Sequence, residues 1–149
     1  MMTKKFEFGL EKLLEIRIQK EEESKRNFTR TQREKKETEN KLKSLKENYA
    51  KYSGIKPGES VIDQKIKRNY LYVIDKGITE TKKDLVIKSK ELDIRREDLT
   101  KKQIDRKTVD ILKERKYIEF VKEEERKEQI LIDELSLYTY IRNHWREVI

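Results

Sequence analysis

Ser53-Gly54-Ile55-Lys56-Pro57-Gly58-Glu59-Ser60 holds the sole proline and two of the four glycines of a 149-residue chain. On either side run long stretches rich in Lys, Glu, Leu, Arg and Ile, which are good or tolerable helix formers. Pro57 lacks a backbone donor, clashes inside a helix and drives Lys56 out of the α region. Gly54 can supply a left-handed C-terminal cap, and Ser60 stands where a following helix needs its N-cap. The stretch reads as the tip of a hairpin. One helix precedes it over about 6–52, the loop covers 53–60, and a second helix follows over about 61–145.

Composition narrows what such helices can form. Charged residues make up 46% of the chain, hydrophobic ones 34%, and mean hydropathy is −1.07. A layered globular core needs more apolar side chains than that, whereas a coiled coil needs only a narrow seam. The fold class expected is all-α: a long antiparallel two-helix coiled-coil hairpin with a longer second helix, forming a single domain over 1–149. No cysteine is present, which fits a reducing compartment. Lys12 and the glutamates at 7 and 11 interrupt any apolar signal core, and no stretch approaches a membrane span. A cytoplasmic protein with no integral membrane segment is expected.

Net charge is +8, unevenly spread. Residues 1–59 carry 16 basic and 11 acidic side chains, 60–118 carry 17 and 11, and 119–149 carry 5 and 8. Interleaved Lys and Glu of this kind are usually solvated helix surface with i,i+4 pairs. A nucleic-acid binder would present a contiguous basic face with stacking aromatics, and neither stands out.

Apolar spacing sets a register. A 4-3 pattern runs through Leu10, Leu14, Arg17, Glu21, Ser24, Phe28, Thr31, Lys35, Thr38, Leu42, Leu45, Tyr49 and Tyr52. After the loop the same spacing joins Ile62, Ile66, Tyr70, Val73, Gly77, Glu80, Asp84, Ile87, Glu91, Ile94 and Asp98. Folding at the loop so that paired numbers sum to 115 places Leu45 against Tyr70, Phe28 against Ile87 and Lys35 against Glu80. Opposite charges at seam positions add little stability but penalise register slips.

On the flank of that face Leu71, Ile78, Leu85, Leu92 and Leu99 repeat every seven residues, beside Ile74 and Gly77. Two uses are open. The flank can curl against the first helix and widen the seam, or it can present groove-docking anchors to a partner.

Helix lengths are unequal. At 1.5 Å per residue the first spans about 70 Å and the second about 130 Å. Everything beyond about Asp110 should overhang, yet it carries Ile118, Val121, Leu131, Leu135, Tyr138 and Trp145 among other apolar residues. Such surface needs a cover.

Catalytic constellations are absent from the sequence. His144 is the lone histidine, with no cysteine or second histidine to make a metal site or a nucleophile dyad. No glycine-rich phosphate loop exists, and Glu123-Glu124-Glu125 reads as solvated helix rather than an acid/base pair. An enzyme is not expected, nor a cofactor.

Both ends carry a resemblance. Phe6-Glu7-Phe8-Gly9-Leu10-Glu11-Lys12-Leu13-Leu14-Glu15-Ile16-Arg17, then Glu21-Glu22-Glu23, resembles the start of the flagellar export FliJ family. Glu114-Arg115-Lys116, Glu123-Glu124-Glu125, Glu128-Gln129 and Asp133-Glu134 resemble its C-terminal block, and the loop and Asn69-Tyr70 sit where the family's would. The resemblance implies a non-enzymatic coiled-coil adaptor of the flagellar type III export apparatus. Such proteins are similar to the shaft of rotary ATPases. They sit in the export ATPase hexamer, contact the cytoplasmic domain of the export gate and handle export chaperones. It further implies a position peripheral to the inner face of the cell membrane, held through those partners.

By that resemblance, a gate-side stripe would comprise Tyr70, Leu71, Ile74, Gly77, Ile78 and Leu85. The ATPase ring, or a second copy in a weak homodimer through the overhang, would meet Phe8, Leu13, Ile16, Ile118, Val121, Leu131, Leu135, Tyr138 and Trp145. Two readings of other classes stand beside it. A basic coiled-coil nucleic-acid binder would lose affinity steeply with salt. A purely structural spacer would self-associate and stimulate no ATPase.

Overall fold

The computed structural model describes residues 4–148. Two helices pack as a hairpin: α1 over Glu11–Tyr52 and α2 over Val61–Val148. No strand occurs among the described residues. α1 starts later than expected. Phe6–Phe8 are extended, Gly9 and Leu10 form a turn, and the Glu11 amide donates to Phe8 O at 3.2 Å. Gly9, the weakest helix former nearby apart from proline, marks that boundary.

The loop is closed as its residues dictate. Gly54 and Gly58 adopt φ of 95° and 88°, left-handed values that side chains rarely reach. Ser60 Oγ accepts the Asp63 amide at 3.1 Å, the N-cap of α2. Lys67 Nζ reaches back from the second turn to Gly54 O at 3.0 Å and to Glu59 at 2.7 Å. This ammonium holds the Glu59 carboxyl below its ordinary value.

Contacts divide the chain into two compact units: Ile18–Ile104, and the stretch up to Arg17 together with that from Asp105 onward. In the unit 18–104, Ser24 Oγ donates to Asp98 at 2.7 Å, and the Tyr52 ring meets the Tyr70 ring edge-on at 5.2 Å. Lys88 pairs with Glu34 at 3.5 Å. Each pair of numbers sums to 122, not 115. The α1 half of the expected seam holds, with Ser24, Thr31 and Thr38 buried and Leu42 and Leu45 half-buried. The α2 half does not. Ile62, Ile66, Val73, Ile87 and Ile94 are all more than 60% exposed, whereas Ile74 is 4% and Leu92 5% exposed. Lys35 faces Glu39 of its own helix at 4.0 Å rather than Glu80.

Residue size explains this choice of face. The α1 seam is thin in the middle, where Ser24, Thr31 and Thr38 are the buried positions. In the observed register Leu99, Leu92 and Leu85 fall in the layers opposite them, so a large side chain meets a small one at each level. The face expected instead would have placed Gly77, Glu80, Asp84 and Glu91 in the seam. Burial of the hydroxyls costs little, because Thr31, Thr38 and Thr81 each donate to the carbonyl four residues back, at 2.9, 3.0 and 2.6 Å. The seven-residue leucine repeat is the seam itself.

In the other unit Leu14 and Val109 are buried at matching heights. Arg17 donates to Asp105 O at 2.8 Å, and Glu11 pairs with Lys113 at 2.8 Å. Phe6 extends the cover, with its ring 5.3 Å from that of Tyr117 and 5.5 Å from that of Phe120. The overhang therefore begins about ten residues later than the expected Asp110, since Phe120 and Val121 are still half-buried.

Candidate partner interfaces

Leu71, Ile74, Gly77, Ile78 and Leu85 of the expected gate-side stripe point into the seam. On the free hairpin they are not an accessible docking surface, because the leucine repeat packs on α1. Tyr70 is different: it stays 43% exposed above the Tyr52 ring. Next to it the chain dips at Gly77, where an added Cβ would lie 3.6 Å from Leu45 Cδ1. Lys41, Leu45, Tyr70, Val73 and Glu80 border this shallow depression. It can take one apolar side chain, with a cation and a carboxylate at its rim to orient a polar neighbour.

The second candidate surface is the tail of α2. Leu131 is half-buried, while Leu135, Tyr138 and Trp145 are exposed, and all four follow a 4-3 spacing. Ile130, Leu137, Ile141 and Val148 form another exposed row round the helix. Tyr140 and His144 stack one turn apart, with rings 4° from parallel. Just before this apolar stretch, Arg126 donates to both Glu123 oxygens, at 3.0 and 2.6 Å, which lowers the Glu123 carboxyl and raises the guanidinium. Apolar side chains on several sides of one helix suit an occupant that packs on more than one face, as a second helix or pair of helices would.

Leu13 and Ile16 are exposed on α1, Ile118 is exposed on α2, and Phe8 and Val121 are half-buried. All five belong to the same unit as the tail. Sequence reasoning passed over Phe6, whose role as an aromatic clamp on Tyr117 and Phe120 has only the Phe6-Glu7-Phe8 spacing as a signal. It also assigned Ile62 and Ile66 to the seam, although both are outward.

Among the described residues no group of His, Cys, Asp and Glu could hold a metal ion, and no helix is long and apolar enough to cross a membrane.

A family model described as flagellar FliJ protein matches residues 6–144, from the aromatic clamp through the hairpin and most of the tail. The chain belongs to the FliJ family. It is therefore a component of flagellar type III protein export, in a family whose members are not catalysts. No curated protein and no solved structure matches it.

Proposed function

We propose that this FliJ-family chain acts as a shaft-like stalk between the export ATPase ring and the export gate, and assists export chaperones, without hydrolysing nucleotide. The observation that carries the reading is the family match combined with an apolar tail left open on a long helical hairpin. In this reading Leu131, Leu135, Tyr138 and Trp145, with Phe8, Leu13, Ile16, Ile118 and Val121, face the ATPase ring. Without the ring, tails pair as a weak homodimer. Gate contact is carried by Tyr70 and the depression at Gly77, because Leu71, Ile74, Ile78 and Leu85 are already engaged by α1. The protein would then work in the cytoplasm, at the inner face of the membrane where the gate lies.

The test is truncation after Lys127. The hairpin should persist by circular dichroism, self-association should fall, and stimulation of the partner ATPase should disappear. A truncated chain that stimulates as well as the full one would refute the ring-facing tail. Loss of gate binding on Tyr70→Ala, with ATPase stimulation kept, would separate the two ends.

A further inference from the structure

The outward face of α2 next to the loop remains without a role. Ile62, Ile66 and Val73 share this face, at 70%, 62% and 64% exposure, and Ile55 in the loop is 76% exposed. Lys65 and Lys76 lie alongside them on the same side, one helical row away. Neither lysine makes an ion pair among the described residues; Lys76 rests over the Tyr72 ring at 5.6 Å. Both carboxylates of this segment fall elsewhere. Asp63 is in line with Lys67 and Ile74, and Asp75 with Leu71, so each borders the seam. Glu80 ends the face. From Lys41 to Lys76 the chain carries nine basic and four acidic side chains.

We propose that this face is a binding surface for an anionic lipid bilayer, lying in the headgroup region with Ile62, Ile66 and Val73 turned to the acyl boundary and Lys65 and Lys76 to the phosphates. Charge fixes the sign of the occupant, since a cationic face cleared of carboxylates attracts an anionic surface. Shape favours lipid over protein. The apolar side chains stand separately along a convex ridge, and the depression at Gly77 is bordered by Glu80. A headgroup layer accepts scattered apolar side chains without a complementary mould, as it does for amphipathic helices lying in the interface. No described helix can cross a bilayer, so the contact is one of lying on the surface. The inference does not rest on the stalk reading.

Sedimentation of the full chain with vesicles tests it. Vesicles containing phosphatidylglycerol should carry the protein down, and pure phosphatidylcholine vesicles should not. Binding should weaken at about 0.5 M salt, where screening is short-ranged. Ile62→Ser with Ile66→Ser should lower partitioning about tenfold or more, and Lys65→Glu with Lys76→Glu should do the same. All four positions point away from the seam, so both double variants should keep wild-type helicity and melting. Failure to sediment with anionic vesicles at low salt would overturn the proposal. Binding indifferent to both double variants would overturn it too and point to the apolar tail as the contact. Binding to poly-glutamate but not to vesicles would assign the face to an acidic protein instead.

Discussion

The Ser24 hydroxyl on α1 donates a 2.7 Å hydrogen bond to the Asp98 carboxylate on α2, across 74 residues of sequence. It is a side-chain link that fixes how far one helix slides along the other. A hydrogen bond to a charged acceptor in a partly buried seam contributes more than an exposed ion pair. A double-mutant cycle of Ser24→Ala and Asp98→Ala should show coupling of about 1–2 kcal/mol. The same cycle on Lys35→Glu and Glu80→Lys should give coupling near zero, because those side chains do not meet.

Leu92 and Ile94 report on which face of α2 is buried. Leu92→Ala removes a side chain that is 5% exposed and should cost about 2–4 kcal/mol in urea unfolding. Ile94→Ala, at a 64% exposed position, should stay within about 0.5 kcal/mol. Reversed magnitudes would put the other face in the seam.

Gly77→Ala should stabilise. The new methyl would sit 3.6 Å from Leu45, an ordinary contact, and alanine gains about 1 kcal/mol of helix propensity over glycine. A rise in melting temperature checks it, and a fall would mean that the two helices approach more closely there than 3.6 Å implies.

Glu59 makes the loop acid-sensitive. Its carboxyl titrates below the ordinary 4.5, chiefly through the Lys67 hydrogen bond. Because the folded value is depressed, the contribution is complete above the unfolded value and is lost as pH falls through the folded one. Hydrogen exchange at residues 54–64 should therefore accelerate below about pH 4 relative to pH 7, beyond the intrinsic pH effect. Lys67→Met should show the faster exchange already at neutral pH and little further change in acid.

Phe6→Ala should free the N-terminal segment. Its ring packs on Tyr117 and Phe120, and removal of such contacts costs about 1–3 kcal/mol locally. Amide protection should drop near Leu10–Leu14 and leave 31–92 unchanged. Uniform loss would show that the clamp holds more than its own unit.

Much of this arrangement was legible in the residues, and the reasons are local. Pro57, Gly54 and Ser60 each have one dominant conformational use, so the loop and its caps could be read directly. The α1 seam was legible for the same reason: its apolar ends leave one consistent spacing. α2 was not, because it carries two apolar rows. Ile62-Ile66-Val73 and Leu71-Ile74-Ile78 are equally hydrophobic on paper. The deciding fact was steric, namely that small hydroxyls on α1 want leucines opposite, and serine and threonine read as polar interruptions when scored by hydropathy alone. The candidate surfaces inherited that ambiguity. The row taken for the seam is the outward one, and the row offered to a partner is inside. Phe6 was hidden by its extended backbone, since a ring contact to Tyr117 has no periodic signal.

The self-satisfied threonines have a mechanical consequence. Thr31, Thr38 and Thr81 keep their hydrogen bonds within their own helices, so parting the two strands at those levels orphans no donor. Only leucine and isoleucine contacts are lost, one level at a time. The middle of the hairpin should consequently yield by small increments under load, as a zip does, without an abrupt rupture. Such compliance lets a slender rod absorb twist and recover it, which a rod cross-linked by buried polar pairs could not do.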